Sequence, residues 1–91
     1  LMISVTMVEA NVYEVVLEGQ DRDQFRVLMS QEYYRELCDL TVTHEWLIIQ
    51  AFTLLMDQEA WQDQLSGEFD LAELSNRYPQ FNRLLKEKLL A

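Results

Sequence analysis

The chain has little glycine, proline, cysteine or histidine. Its 91 residues include two glycines, one proline, one cysteine and one histidine. With Gly19 and Gly67 alone, a glycine-rich phosphate-binding loop is excluded, and a single cysteine excludes an internal disulfide. A zinc-protease helix is excluded as well, because Ile48 stands four residues after His44, where that motif needs a second histidine.

No hydrophobic run reaches the length of a membrane span. The longest apolar stretch is Trp46–Met56, whereas a bilayer needs about 20 residues. The chain does not open with a basic segment followed by an apolar one, so no signal peptide is predicted. We expect no contact with a membrane, and the single cysteine favours a reducing, cytoplasmic setting. No ligand pattern indicates a cofactor.

Basic residues are missing from the middle of the chain. Between Glu36 and Asn76 the sequence carries nine acids and no lysine or arginine, while the remainder holds seven residues of each sign. The net charge of −9 therefore falls within this segment. We expect either a solvated face or a docking face for a basic protein, formed by Asp57, Glu59, Asp63, Glu68, Asp70 and Glu73. Direct nucleic-acid binding is not expected, since this segment repels phosphates.

Alternation of apolar and polar residues predicts two or three strands in the first third of the chain. Residues 3–7, 13–17 and 24–30 each show a period of two. The turn-forming residues 19–23 join the last two segments as an antiparallel hairpin. Residues 9–11 form either another turn or a bend within one long strand over residues 3–18.

Helical spacing dominates the rest of the sequence. Ser30, Thr43 and Asp70 are predicted N-caps, and Pro79 suits the first turn of a last helix. A central helix spans Thr43–Met56, and the polar residues up to Gln64 extend it by as much as two turns. Strands followed by helices predict a single α+β domain over residues 1–91, with a small antiparallel sheet of two or three strands and four or five helices packed on one face.

The central helix is apolar on every side, and such a helix must be covered on every side. One stripe is predicted to pack on the sheet, namely Leu47, Ile48, Ala51, Phe52 and Leu55. A second stripe contains Trp46, Ile49 and Met56, and it must meet the C-terminal helix or another copy of the chain. Because closed twofold symmetry is the commonest solution, we expect a homodimer with these three residues at its interface.

Several segments, which together cover about residues 12–83, resemble segments of a known protein family. They are the strand Tyr13–Gly19, the strand and paired-tyrosine helix Arg26–Leu37, the Thr-x-Glu start and apolar helix Thr43–Leu55, and the motifs Glu68–Leu71 and Arg77–Phe81. In this order they resemble a small bacterial protein family of unknown function. Members often carry more arginine after the central helix, where residues 57–63 of this chain have none. The resemblance implies the same segmentation but no activity and no catalytic residue.

Cys38 and His44 are the one pair that could supply nucleophilic chemistry. Such a pair needs its side chains within hydrogen-bond reach. The apolar neighbours of Cys38 favour a buried structural thiol, and a lone histidine at a helix start is typical of a surface or capping residue. The acids from position 57 to 68 fit a calcium-loop frame in part, but Trp61 and Gln62 stand where an oxygen ligand and a glycine are required. No catalytic, cofactor-binding or metal-binding residue is therefore assigned.

The sequence favours a non-enzymatic, acidic interaction or regulatory protein. Its partner would be a basic protein, bound by contacts that weaken as salt rises. A second hypothesis is an antitoxin-like protein or nucleic-acid mimic that occupies the basic cleft of an enzyme. A third is a hydrolase-type enzyme that uses Cys38 and His44.

Overall fold

Three consecutive strands form an antiparallel meander in the computed structural model, which describes residues 2–19, 22–58, 65 and 67–90. They are β1 (Met2–Glu9), β2 (Val12–Glu18) and β3 (Arg22–Leu28). Asn11 turns the chain between β1 and β2 with a φ of 65°, a left-handed conformation that asparagine tolerates better than most residues. Residues 3–18 are therefore two strands joined by a turn.

A fourth strand, β4 (Glu68–Asp70), pairs in parallel with β3. The sheet order is β1-β2-β3-β4, so the prediction of an antiparallel sheet with two or three strands is wrong in strand number and in the direction of the last strand. Three residues are too few to show an alternating pattern. Contacts with residues far away in sequence hold β4 in the sheet. The centroid of the Phe69 ring lies 6.4 Å from that of Phe25 and 6.0 Å from that of Phe52.

Four helices lie in the described part of the chain. They are α1 (Gln31–Cys38), α2 (His44–Asp57), α3 (Leu71–Arg77) and α4 (Pro79–Leu90). Three of them directly follow a residue whose side-chain oxygen accepts a hydrogen bond from a first-turn N–H, namely Ser30, Thr43 and Asp70. The predicted N-caps are thus confirmed.

The central helix α2 ends earlier than predicted. Its last residue is Asp57, and Gln58 is extended, with a φ of −119° and a ψ of 94°. The predicted extension over residues 57–64 therefore holds for Asp57 and is wrong at Gln58, while residues 59–64 lie outside the described residues. Helices in proteins depend on packing of an apolar face, and Asp57 and Gln58 offer no apolar side chain to the core.

The helices cover one face of the sheet. The inner stripe of α2 is completely buried, with 0% exposure for Leu47, Ile48, Ala51, Phe52 and Leu55. Each large apolar side chain buried in this way contributes about 1.5–3 kcal/mol. The opposite face of the sheet carries exposed polar side chains, those of Ser4, Thr6, Glu18, Gln24, Arg26 and Glu68. This face of the sheet is therefore exposed to solvent at these six positions.

Candidate functional site

The acids predicted to bind a partner have different structural roles. Asp57, Glu68 and Glu73 are exposed, and Glu68 lies opposite Arg26 in the parallel register. The Asp70 carboxylate accepts a hydrogen bond from the Ala72 N–H at 2.9 Å and so serves as the N-cap of α3. The other two predicted acids, Glu59 and Asp63, lie outside the described residues.

A cleft of about 450 Å³ opens between α1, α3 and α4. Glu32 and Glu36 line it from α1, and both are exposed. They stand one helical turn apart, a spacing that places two side chains on the same side of a helix. The remaining lining residues include no lysine or arginine; they are Ser30, Tyr33, Ala72, Ser75, Asn76, Pro79 and Asn82. Sequence reasoning missed this cleft because its walls come from three separate helices.

A buried hydrogen-bond junction forms the inner wall of the cleft. The Tyr33 phenol of α1 makes a short hydrogen bond with the Ser75 hydroxyl of α3 and donates to Asn82 Oδ1 of α4 at 3.3 Å. Since a phenol has one proton, Ser75 must donate to Tyr33. Tyr33 and Ser75 are each only 6% exposed. The junction therefore ties three helices together and holds their polar groups in fixed positions.

Two carboxylates, one on α1 and one at the start of α3, disfavour ionisation of the Tyr33 phenol. Burial raises the pKa of Tyr33 from 10.0 to about 12, the Ser75 hydrogen bond opposes this shift, and the charges of Glu36 and Asp70 add to it. Burial disfavours the phenolate because it removes water, and nearby carboxylates disfavour it by like-charge repulsion. Glu36 of α1 and Asp70 at the start of α3 therefore both contribute negative potential at the inner wall of the cleft. The phenol stays neutral at physiological pH.

Cys38 and His44 both contact Tyr34, but at different groups of that residue. Cys38 is 3% exposed, and its thiol donates to the Tyr34 carbonyl oxygen at 3.5 Å, so the predicted buried thiol is confirmed. The His44 ring is stacked on the Tyr34 ring, with 3.8 Å between the centroids, and its Nε2 lies 3.2 Å from Gln31 Oε1. His44 is thus a half-buried, stacked residue, and the capping position belongs to Thr43.

The second stripe of α2 is covered less than the first. Trp46 is 49% exposed, while Ile49 and Met56 are half-buried, and Met56 packs against the core. Leu40, in the loop before α2, is 61% exposed and has a φ of 66°, a conformation unusual for leucine. Apolar surface therefore remains around the start of α2, and nothing in the sequence signals the left-handed backbone at Leu40.

Comparison of the chain with protein-family models, with curated proteins and with solved structures finds no match. The resemblance to a small bacterial family therefore stays a prediction. Within the described ranges, no helix combines the length and the apolar character needed to cross a membrane. In the same part of the chain, no group of three or more His, Cys, Asp and Glu side chains is placed to hold a metal ion.

Proposed function

We propose that this chain is a non-enzymatic, cytoplasmic interaction protein that binds a basic segment of a partner protein in the cleft between α1, α3 and α4. The lining of the cleft carries the proposal: it presents two exposed carboxylates with hydroxyl and amide groups and has no lysine or arginine. An arginine or lysine side chain complements such a site, because both are donors only. Arginine can also engage a carboxylate with two parallel hydrogen bonds.

Long-range electrostatics favour the same kind of partner. The chain has a net charge of −9, which attracts a basic protein and raises the rate of encounter. Glu32 and Glu36 place two of these negative charges at the cleft. The charges of Glu36 and Asp70 both act on the Tyr33 phenol. A cationic side chain in the cleft is therefore attracted by more than one carboxylate.

The inner wall supplies hydrogen-bonding groups whose positions are already set. Asn82 Oδ1 accepts from Tyr33, and a carbonyl oxygen has a second lone pair for a partner's donor. Because Tyr33 and Ser75 are held within the junction, a partner does not need to order them on binding, which lowers the entropic cost. A volume of about 450 Å³ falls within the usual range of ligand pockets.

The interactions of Cys38 and His44 support a non-enzymatic role over the hydrolase hypothesis. The Cys38 thiol is buried and bonded to a backbone carbonyl, and the Nε2 of His44 is engaged with Gln31. A Cys–His nucleophile needs the two groups to bond to each other at a place that substrate can reach. Neither of these two hydrogen bonds joins the Cys38 thiol to the His44 ring.

The proposal is tested with a fluorescently labelled peptide of alternating arginine and glycine, titrated with the protein and followed by fluorescence anisotropy. Glu32→Gln with Glu36→Gln should weaken binding about 2- to 30-fold, because each exposed charge pair contributes roughly 0.2–1 kcal/mol and the cleft holds two such carboxylates. Binding by the unmodified chain should weaken as salt rises.

The matched control is Glu18→Gln with Glu87→Gln. It removes the same charge from exposed positions outside the cleft, so it should change binding by less than about twofold. Equal weakening by both pairs would show that only the total charge matters and would contradict a site in the cleft. Resolved amide signals of Asn76 and Asn82 in NMR spectra should shift on peptide addition, and unchanged signals would also contradict it.

The concentration of charge within residues 36–76 also favours the narrower hypothesis of an antitoxin-like protein or nucleic-acid mimic. In that case the partner is a basic nucleic-acid-binding enzyme, and this chain occupies its cleft. Duplex DNA or RNA should then displace this chain from the enzyme. A toxin gene immediately adjacent would favour the hypothesis, and simultaneous binding of nucleic acid and this chain would contradict it.

A further inference from the structure

Strand β1 forms one outer edge of the sheet. It pairs with β2 through the register Met2↔Glu18 to Met7↔Tyr13, and among the described residues no strand pairs with its other side. The backbone N–H and C=O groups on that side are available to another strand.

This edge has little of the protection that outer strands usually carry. Natural edges are guarded by charge, proline, short length or a bulge. From Met2 to Val8 the strand has no charged residue and no proline, and its one irregularity lies at the far end, between Met7 and Glu9. Met2, Met7 and Val8 are 62%, 57% and 43% exposed. The other outer strand, β4, is protected, because it has three residues of which Glu68 and Asp70 are acidic.

The sequence of β1 also matches itself when it is reversed about Val5. In an antiparallel pair centred there, Val5 faces Val5 of the second copy, and Ser4 faces Thr6. Further out, Ile3 faces Met7 and Met2 faces Val8. Every position thus meets one of like chemistry, and each pair lies on one face of the sheet because residues opposite each other share a face.

We propose that a second copy of this chain pairs antiparallel with β1 about a twofold axis at Val5, so that two sheets join into one of eight strands. Since residues 2–8 carry no charge, two chains of net charge −9 can pair along this edge without placing like charges opposite each other. The joined sheet then ends at β4 on both sides, and these short acidic edges stop further addition. Because α2 packs over β1, the second copy also brings another α2 into the same helical layer.

Two variants that differ at one position test this register. Ser4→Lys with Thr6→Lys places lysines opposite each other across the axis, so the dimer should dissociate about 10- to 100-fold more easily. Ser4→Glu with Thr6→Lys places glutamate opposite lysine and should keep or tighten the dimer. Within one chain, position 6 faces Glu14 and position 4 faces Val16, so both variants should fold.

Sedimentation velocity and circular dichroism provide the readouts. The wild type and S4E/T6K should sediment at twice the 10.8 kDa chain mass, and S4K/T6K at that mass, all with the same spectrum. If overall charge repulsion alone set the stability of the dimer, the opposite result would be expected. S4K/T6K would then form the tighter dimer, because it is less negative than S4E/T6K. A monomeric wild type, a dimeric S4K/T6K, or a monomeric S4E/T6K would overturn the proposal.

A further measurement does not depend on the variants. Hydrogen exchange of the β1 amides in the wild-type protein should slow as protein concentration rises, since pairing covers the outer N–H groups. Exchange that is independent of concentration would overturn the proposal. A folded monomer produced by Trp46→Asp together with a dimeric S4K/T6K would place the interface on the second stripe of α2 instead.

Discussion

Tyr33 is the residue on which the polar contacts of the helical layer converge. It bonds to Ser75 and Asn82, which lie 42 and 49 positions away in sequence. Buried polar groups are costly when they lose a partner, about 1–3 kcal/mol each. The phenol is thus both a structural tie between three helices and part of the wall that a basic partner would contact.

Tyr33→Phe should lower the free energy of unfolding by about 1–3 kcal/mol at neutral pH, because it leaves the buried Ser75 hydroxyl without its partner. The difference from wild type should shrink as pH rises from 10 to 12. The pKa of Tyr33 is raised in the folded state, from 10.0 to about 12. Its contribution to the free energy of unfolding is therefore complete below pH 10 and is lost as the pH rises through 12. The loss amounts to about 2–3 kcal/mol. Urea unfolding across this range checks it, and a constant difference would contradict it.

At the scale of elements, α2 organises both layers of the fold. Its inner stripe is completely buried, and the Phe52 ring lies 5.6 Å from that of Phe25 on β3. The helix is preceded by its exposed N-cap Thr43, whose hydroxyl accepts a hydrogen bond from the Trp46 N–H at 3.1 Å. A local cap thus fixes where this element starts, while packing against the sheet holds it in place.

Thr43→Ala should destabilise the protein by about 1 kcal/mol, because a first-turn N–H of α2 loses its acceptor. Thr43→Ser keeps the hydroxyl and should stay within a few tenths of a kcal/mol of wild type. Since Thr43 is exposed, lost burial does not confound the comparison. Urea midpoints measure both changes, and equal midpoints for the two variants would contradict the capping role.

At the scale of the whole molecule, the two proposed associations should respond to salt in opposite directions. Two copies of net charge −9 repel each other, and their proposed contact at β1 has no charge, so added salt should tighten the dimer by screening the repulsion. Binding of a basic peptide should weaken under the same conditions. Sedimentation at about 0.05 M and 0.5 M salt measures the first effect. A dimer that loosens with salt would indicate ion pairs at its interface.

Local patterns account for most of the elements that were predicted correctly. Alternation over a few residues predicts β1, β2 and β3, and the inner stripe of α2 follows from helical spacing. The N-caps Ser30, Thr43 and Asp70 are confirmed because a cap needs only one suitable side chain next to a helix start. The early end of α2 was missed, since a polar segment is compatible with both a solvated helix and an extended chain.

The sequence by itself determined the alternating segments of β1 to β3, the helices that follow them, the buried stripe of α2 and the segregation of charge, since each depends on neighbours within a few positions. Only the tertiary structure decided the parallel pairing of β4, the acidic cleft, the Tyr33–Ser75–Asn82 junction and the unpaired edge at β1. These features join residues that are far apart along the chain. Their positions depend on which surfaces bury together, and burial is a property of the folded chain as a whole.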